Sequence, residues 1–176
     1  MPGFMFSRRR WVAQAFSVGA VSWASAAWSA TPAVPAFVLR GPTLRGDRFD
    51  LARQRGRVVM VVYWSTDCAV CRDKLPELRQ NLAGWSDKPF GLVMVSLDRR
   101  EDDWRRYEAL QAITQAKAVQ RGIALWAGAP GFQDSLAARP PQLPLTLVFG
   151  PDGQERLRVA GRVPAEAWDA VAEWLP

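Results

Sequence analysis

Residues 58–71 have the sequence VVMVVYWSTDCAVC, and this stretch decides the fold of the chain. Its first half is a continuous run of β-branched and aromatic residues, which is typical of a strand buried on both faces. Its second half ends in Cys68 and Cys71, the only two cysteines among 176 residues. A Cys-x-x-Cys pair near alternating strands and helices is typical of redox sites, where the two thiols close and reopen a small disulfide ring.

The number and spacing of the cysteines favour chemistry over structural support. Exported proteins that depend on disulfides for stability usually contain several pairs at wide spacing. One pair separated by two residues closes too small a loop to constrain much of the unfolded chain. We therefore predict redox function for Cys68 and Cys71, and the alternative is a buried, inert thiol pair.

The N-terminal segment has the pattern of an export signal. Arg8 to Arg10 are followed by Trp11 to Ala30, which contains no charged residue, and Ala24-Ser25-Ala26 has the small-x-small form of a cleavage site. The arginines are compatible with a twin-arginine signal and equally with a signal for the general secretory pathway. We predict that residues 1–30 are a signal peptide, with an uncleaved N-terminal anchor as the alternative, and that residues 31–176 form one domain.

Charge and composition exclude several kinds of partner. Removal of residues 1–26 lowers the formal net charge from +6 to +3, and the remaining arginines are scattered among acids. Without a basic stripe interleaved with aromatics, nucleic acid is not an expected partner. The chain contains no histidine, which argues against copper chaperones that pair cysteines with histidine and against histidine-ligated haem. We predict no metal site and no cofactor beyond the redox-active disulfide.

Strands and helices alternate along the chain, which favours an α/β fold in three layers. Such open sheets bind ligands at the carboxyl ends of their strands, where Cys68 is expected. The Gly- and Pro-rich stretch 127–142 has no assigned structure. Predicted strands cover residues 37–39, 48–51, 58–64, 91–97, 123–126, 145–149 and 155–160, and predicted helices cover residues 71–83, 104–121 and 164–175.

Four landmarks between Pro35 and the C-terminus resemble one known family. The chain is similar to the thioredoxin superfamily, and within it to the exported TlpA/ResA-like thiol-disulfide oxidoreductases. The resemblance implies a central mixed sheet flanked by helices and an N-terminal hairpin extension. The landmarks are Pro35-x-Phe37-x-Leu39 with Leu51 and Gly56-Arg57-Val58-Val59, then Tyr63-Trp64-Ser65-Thr66, then Leu75-Pro76-Glu77-Leu78, and finally Leu143-Pro144-Leu145-Thr146-Leu147-Val148 with Asp152-Gly153.

The resemblance also implies roles for individual residues. Cys68, at the start of a helix, would exchange with a substrate disulfide, and Cys71 would resolve the mixed disulfide. Pro144 would be cis and face the disulfide, so that the backbone of Leu143 pairs with an extended substrate. We place Trp64 with these substrate-binding residues, as a wall under the active-site loop.

Five positions depart from the family pattern. Asp67 replaces the tryptophan often found before the first cysteine, and Ala69-Val70 contains no proline. Lys74 stands where a glutamate is common, and Val62 replaces the buried acid of cytoplasmic thioredoxins. We expect the charge of Asp67 to oppose the Cys68 thiolate and that of Lys74 to favour it.

Together these features predict an exported, periplasmic protein-disulfide oxidoreductase. The expected type is a reductant that serves cytochrome c maturation or metal-centre assembly. Its expected partners are a protein thiol or disulfide substrate and an upstream membrane electron donor, and the chain itself would contact the membrane only if its N-terminal segment is uncleaved. The alternatives are a binding or chaperone module of the same fold without turnover, and a disulfide oxidant or isomerase.

Overall fold

The computed structural model describes residues 37–114, 122–136 and 138–175. In these ranges the hydrophobic pattern of the sequence sets the positions of the strands and helices. A short 3-10 helix covers Leu51–Arg53. The strands are β1 (Leu39–Pro42), β2 (Arg48–Asp50), β3 (Val58–Trp64), β4 (Phe90–Ser96), β5 (Ile123–Trp126), β6 (Gln133–Asp134), β7 (Leu145–Phe149) and β8 (Glu155–Ala160), and the helices are α1 (Ala69–Gly84), α2 (Glu101–Thr114) and α3 (Ala165–Glu173).

The central sheet has five strands in the order β5-β4-β3-β7-β8. β3 runs parallel to β4 and antiparallel to β7, so the sheet is mixed, as predicted. All seven residues of β3 are buried, which explains why that stretch of sequence is apolar without alternation. This strand is the rigid mount from which the chain enters the Cys-x-x-Cys segment.

The side chains of β3 alternate between two hydrophobic cores, one on each face of the sheet. Val62 and Trp64 belong to the core that α1, α2 and α3 cover. Val61 and Tyr63 belong to the other core, which contains buried residues of β1 and β2. The predicted three layers are therefore helices, central sheet and a small second sheet.

The second sheet joins the N-terminal hairpin to the stretch 127–142. Its order is β2-β1-β6, with β6 antiparallel to β1. The side-chain amide oxygen of Gln133 also accepts two hydrogen bonds from the Arg40 guanidinium, at 2.9 and 2.6 Å. The hairpin was predicted, whereas β6 was not, because two residues are too short for a periodic pattern.

The two edges of the central sheet differ in what covers them. At the β5 edge, the Leu44 N–H donates to the Ala124 carbonyl at 2.9 Å, and Thr43 forms a bridge with Leu125. The turn of the hairpin therefore covers that edge. The opposite edge is β8, which exposes the charged residues Glu155, Arg156 and Arg158.

Two helices begin earlier than the apolar pattern predicted. α1 starts at Ala69 because Cys68 serves as its N-cap. α2 starts at Glu101, and three acidic residues in its first turn suit the positive end of the helix dipole. No helix in the described ranges is long and apolar enough to cross a membrane. The export segment predicted for residues 1–30 lies outside the described residues, as do residues 115–121 of the second predicted helix.

Candidate active site

Cys68 and Cys71 form a disulfide at the start of α1, directly after the carboxyl end of β3. Their Cα atoms are 5.2 Å apart. Cys71 has only 1% of its surface exposed, whereas Cys68 is half-buried. Of the two cysteines, Cys68 is therefore the one that is accessible to a partner molecule.

The Cys68 sulfur occupies the N-cap position of α1. Its Sγ atom accepts a hydrogen bond from the Cys71 N–H at 3.1 Å, with the Cys68 backbone extended as in other N-caps. The free N–H groups and the positive dipole end of a helix favour an anion at this point. When the disulfide is reduced, this position favours the thiolate of Cys68, the form that attacks disulfides.

Asp98 fixes the loop that leads into the disulfide. The backbone N–H and the hydroxyl of Thr66 both donate to Asp98 Oδ1 at 2.8 Å. The Ser96 hydroxyl donates to Asp98 Oδ2 at 2.7 Å. Asp98 thereby ties the loop after β3 to the end of β4. An acid after a strand is usually solvated or a cap, so only its place at the carboxyl end of the neighbouring strand could have indicated this role.

Asp98→Ala should loosen this loop and destabilise the domain. Two bonds from Thr66 and one from Ser96 are lost. A hydrogen bond to a charged acceptor contributes about 1.5–3 kcal/mol net, and less where the freed donor can bond to water, as at half-buried Thr66. We expect a loss of about 2–3 kcal/mol in unfolding free energy, with faster hydrogen exchange at the Thr66 amide. Thr66→Val, which removes only the hydroxyl bond, should cost less. Unchanged exchange at Thr66 in Asp98→Ala would contradict this role.

Asp67 places a negative charge next to Cys68. Its carboxylate accepts a hydrogen bond from the Ser65 hydroxyl, and this bond is the main cause that lowers the pKa of Asp67. The positive charges of Arg139 and Arg99 lower that pKa further, whereas its slight burial acts in the opposite direction. Asp67 is therefore ionised at neutral pH. The predicted opposition to the Cys68 thiolate remains a prediction.

The charge of Lys74 is paired with an acid on the same helix. Its ammonium nitrogen lies 2.6 Å from Glu77 Oε2, one turn further along α1. This ion pair offsets the charge of Lys74, so the help that it was expected to give the Cys68 thiolate is reduced.

Asp67→Asn should make the Cys68 thiol more acidic, because it removes a like charge beside the thiolate. Exposed charge pairs contribute about 0.5 kcal/mol, which corresponds to about a twofold faster alkylation of Cys68 below the pKa of its thiol. The measurement is the pH dependence of iodoacetamide labelling of the reduced protein. Asp87→Asn, which removes an exposed acid elsewhere, is the control and should leave the profile unchanged. A slower reaction in Asp67→Asn would refute the prediction.

Trp64 does not line the surface of the site. Its side chain is fully buried, and its ring packs against that of Tyr107 with centroids 4.8 Å apart. The ring therefore has no exposed surface, and the role of Trp64 in substrate binding, as a wall under the active-site loop, stays a prediction.

Leu143 and Pro144 precede β7, and the peptide bond between them is cis. Pro144 is buried, and its carbonyl accepts a hydrogen bond from the Gly161 N–H at 2.7 Å. Leu143 is half-buried and packs against the same helix-side core as Cys68. The binding of substrate by Leu143 and Pro144 stays a prediction. In the described residues no group of three His, Cys, Asp or Glu side chains is arranged to bind a metal ion.

Solved structures with similar folds come from several bacteria. A thioredoxin-family thiol:disulfide interchange protein from Chlorobium tepidum TLS aligns with a TM-score of 0.61 and 19% identity, over 79% of this chain and 93% of that one. A putative thiol:disulfide interchange protein DsbE from Chlorobium tepidum gives 0.56 and 24%, over 80% and 90%. A secreted Mycobacterium tuberculosis disulfide oxidoreductase homologous to E. coli DsbE gives 0.58 and 20%, over 76% and 94%.

These likenesses confirm the thioredoxin fold that the sequence resemblance implied. No curated protein matches the chain. The family model described as AhpC/TSA matches residues 31–154, which include the hairpin, the disulfide and β7. With a match over most of its length, this chain belongs to the AhpC/TSA family of thioredoxin-fold proteins.

Proposed function

We propose that this chain is an exported thiol-disulfide oxidoreductase that reduces disulfides in proteins, of the type that serves cytochrome c maturation or metal-centre assembly. The observation that most supports it is the Cys68–Cys71 disulfide, with one sulfur accessible at a helix start and the other buried. A pair arranged in this way can react with a partner one sulfur at a time. Family and fold are consistent with this chemistry.

The reaction follows from that arrangement. In the reduced protein, the Cys68 thiolate attacks one sulfur of the substrate disulfide, forms a mixed disulfide and displaces the other substrate sulfur as a thiolate. Cys71, after loss of its proton, then attacks the Cys68 sulfur and releases the second substrate thiolate. The substrate gains two electrons, and this chain is left as the disulfide. An upstream electron donor, proposed to lie in the membrane, must then reduce it again.

Export is supported by the charge and apolar pattern of residues 1–30. Among the proteins of similar fold, the one from Mycobacterium tuberculosis is described as secreted and the one from Streptococcus pneumoniae as an exposed lipoprotein. We therefore propose that this chain acts in the periplasm, with an uncleaved N-terminal anchor as the alternative.

Two other functions use the same fold. A disulfide oxidant or isomerase would run the exchange in other directions, and the missing proline between the cysteines and the acid at Asp67 leave the direction open. A binding or chaperone module would use the surface beside Pro144 without turnover. The retention of both cysteines favours the enzyme over the binding module.

The reduction potential of the Cys68–Cys71 pair separates these functions. The domain is equilibrated with glutathione or dithiothreitol buffers, free thiols are alkylated, and the two redox forms are counted by mass spectrometry. A potential near or below about −220 mV supports the reductant, and one near about −120 mV indicates an oxidant. A pair that never changes state over this range would refute the enzyme and favour the binding module.

A further inference from the structure

Two arginine side chains are fixed beside the disulfide by backbone carbonyls. A guanidinium N–H of Arg72 donates to the Thr66 carbonyl, and one of Arg139 donates to the Leu97 carbonyl at 2.8 Å. Thr66 itself is bonded to Asp98, the residue after Leu97, so both guanidinium groups border the same pair of loops. Both arginines are exposed. We call Arg72 and Arg139 the guanidinium pair.

The positive charges of the guanidinium pair are not used in ion pairs within the described residues. Neither member forms a salt bridge with an acid in the described part of the chain, and each bond named above leaves several N–H donors unused. Among the described residues, six other exposed arginines do have a carboxylate within 4 Å, in the pairs Arg53–Asp50, Arg100–Asp102, Arg105–Glu101, Arg156–Asp152, Arg158–Glu155 and Arg162–Asp73.

The acids near the guanidinium pair do not cancel its charge. The carboxylate of Asp98 accepts hydrogen bonds from Thr66 and Ser96 and lies in no salt bridge with either arginine. Asp67 is the other acid at this loop, and the positive charges of both Arg139 and Arg99 lie close enough to lower its pKa. The loops beside Cys68 therefore present an excess of guanidinium donors.

We propose that the guanidinium pair binds carboxylates on a protein partner, so that Cys68 exchanges preferentially with cysteines flanked by Asp or Glu. This rests on the proposed function, for which it specifies the substrate class. Guanidinium groups bind carboxylates through two parallel hydrogen bonds, and little freedom is lost when the group is already held by a carbonyl. Opposite charge also speeds the encounter between partners. Val70, 38% exposed between the cysteines, adds an apolar contact at the centre.

The test uses three synthetic peptides with one internal disulfide and identical cores, whose cysteines are flanked by Asp and Glu, by Ser, or by Lys. The second-order rate of exchange with the reduced protein is measured for each by acid quenching and mass spectrometry. Arg72→Gln/Arg139→Gln is compared with wild type. The control is Arg53→Gln/Arg156→Gln, which removes the same charge from exposed arginines near the opposite end of the central strands. Labelling of Cys68 in each reduced variant by iodoacetamide, which is uncharged, monitors intrinsic reactivity.

We expect wild type to react about fivefold faster with the acidic peptide than with the neutral one, and more slowly still with the basic one. The preference should disappear in Arg72→Gln/Arg139→Gln, persist in the control, and shrink at about 0.5 M salt. Equal rates for the three peptides in wild type, or an unchanged preference without the guanidinium pair, would overturn the inference alone. No exchange with any peptide, although iodoacetamide still labels Cys68, would overturn the proposed function as well.

Discussion

A Cys71→Ala variant should stay covalently joined to its natural partner through Cys68. Without Cys71 no neighbouring thiol can attack the mixed disulfide, and such intramolecular steps have effective concentrations far above those of thiols in solution. We expect turnover to fall by at least about 10³-fold. Covalent adducts should accumulate in cells, and they can be isolated under non-reducing conditions and identified by mass spectrometry.

The matched control removes the other cysteine of the pair. Cys68→Ala keeps Cys71, whose side chain is 1% exposed, and this variant should form almost no adduct. Adducts of equal abundance in both variants would show that the order of attack is wrong. A folded Cys71→Ala protein that captures nothing would instead favour the binding module.

Glu108→Ala should produce the largest loss of stability. Glu108 lies on α2 and accepts hydrogen bonds on both carboxylate oxygens, at 3.1 and 2.9 Å, from one guanidinium nitrogen of Arg79 on α1. The two side chains are only 8% and 4% exposed. Removal of the carboxylate leaves a buried positive charge, and such losses cost about 3–5 kcal/mol. Denaturant titration of the oxidised domain measures the change in unfolding free energy.

Two further variants separate the ion pair from the space it fills. Arg79→Leu/Glu108→Leu removes both charges and should recover most of the lost stability, because well-packed apolar replacements of buried pairs are often neutral or stabilising. Asp152→Ala, which breaks the exposed pair with Arg156, should cost no more than about 1 kcal/mol. A loss below that value in Glu108→Ala would contradict the importance of the buried pair.

Local patterns predicted most of the fold. The continuous apolar run of β3 and the shorter runs of β4 and β7 indicated buried strands, and the turn at Asp152-Gly153 indicated the hairpin of β7 and β8. β6 escaped prediction because it is formed only by pairing with β1, ninety residues earlier in the chain. Pairings between distant segments leave no periodic trace in the sequence.

The two reactive cysteines could be predicted from the sequence, whereas the residues that hold the neighbouring loops could not. Cys68 and Cys71 are marked by their spacing. Asp98 instead acts through hydrogen bonds from Thr66 and Ser96, and Arg139 through one to the Leu97 carbonyl, from positions that resemble solvated loop residues. The burial of Trp64 follows from the alternation of β3, since it shares a face with Val62. The sequence pattern did not indicate that α1, α2 and α3 would all cover that face.

The two edges of the central sheet also affect how the protein behaves at high concentration. An open strand edge can recruit a strand from another molecule, and such pairing is a starting point for aggregation. Here one edge is occupied by the chain's own residues Thr43 and Leu44, and the other displays the charged side chains of Glu155, Arg156 and Arg158 on β8. Two copies meeting at β8 would bring like charges together and would have to separate established ion pairs. The folded domain is thereby protected from intermolecular β-pairing while its reactive sulfur remains open to partners.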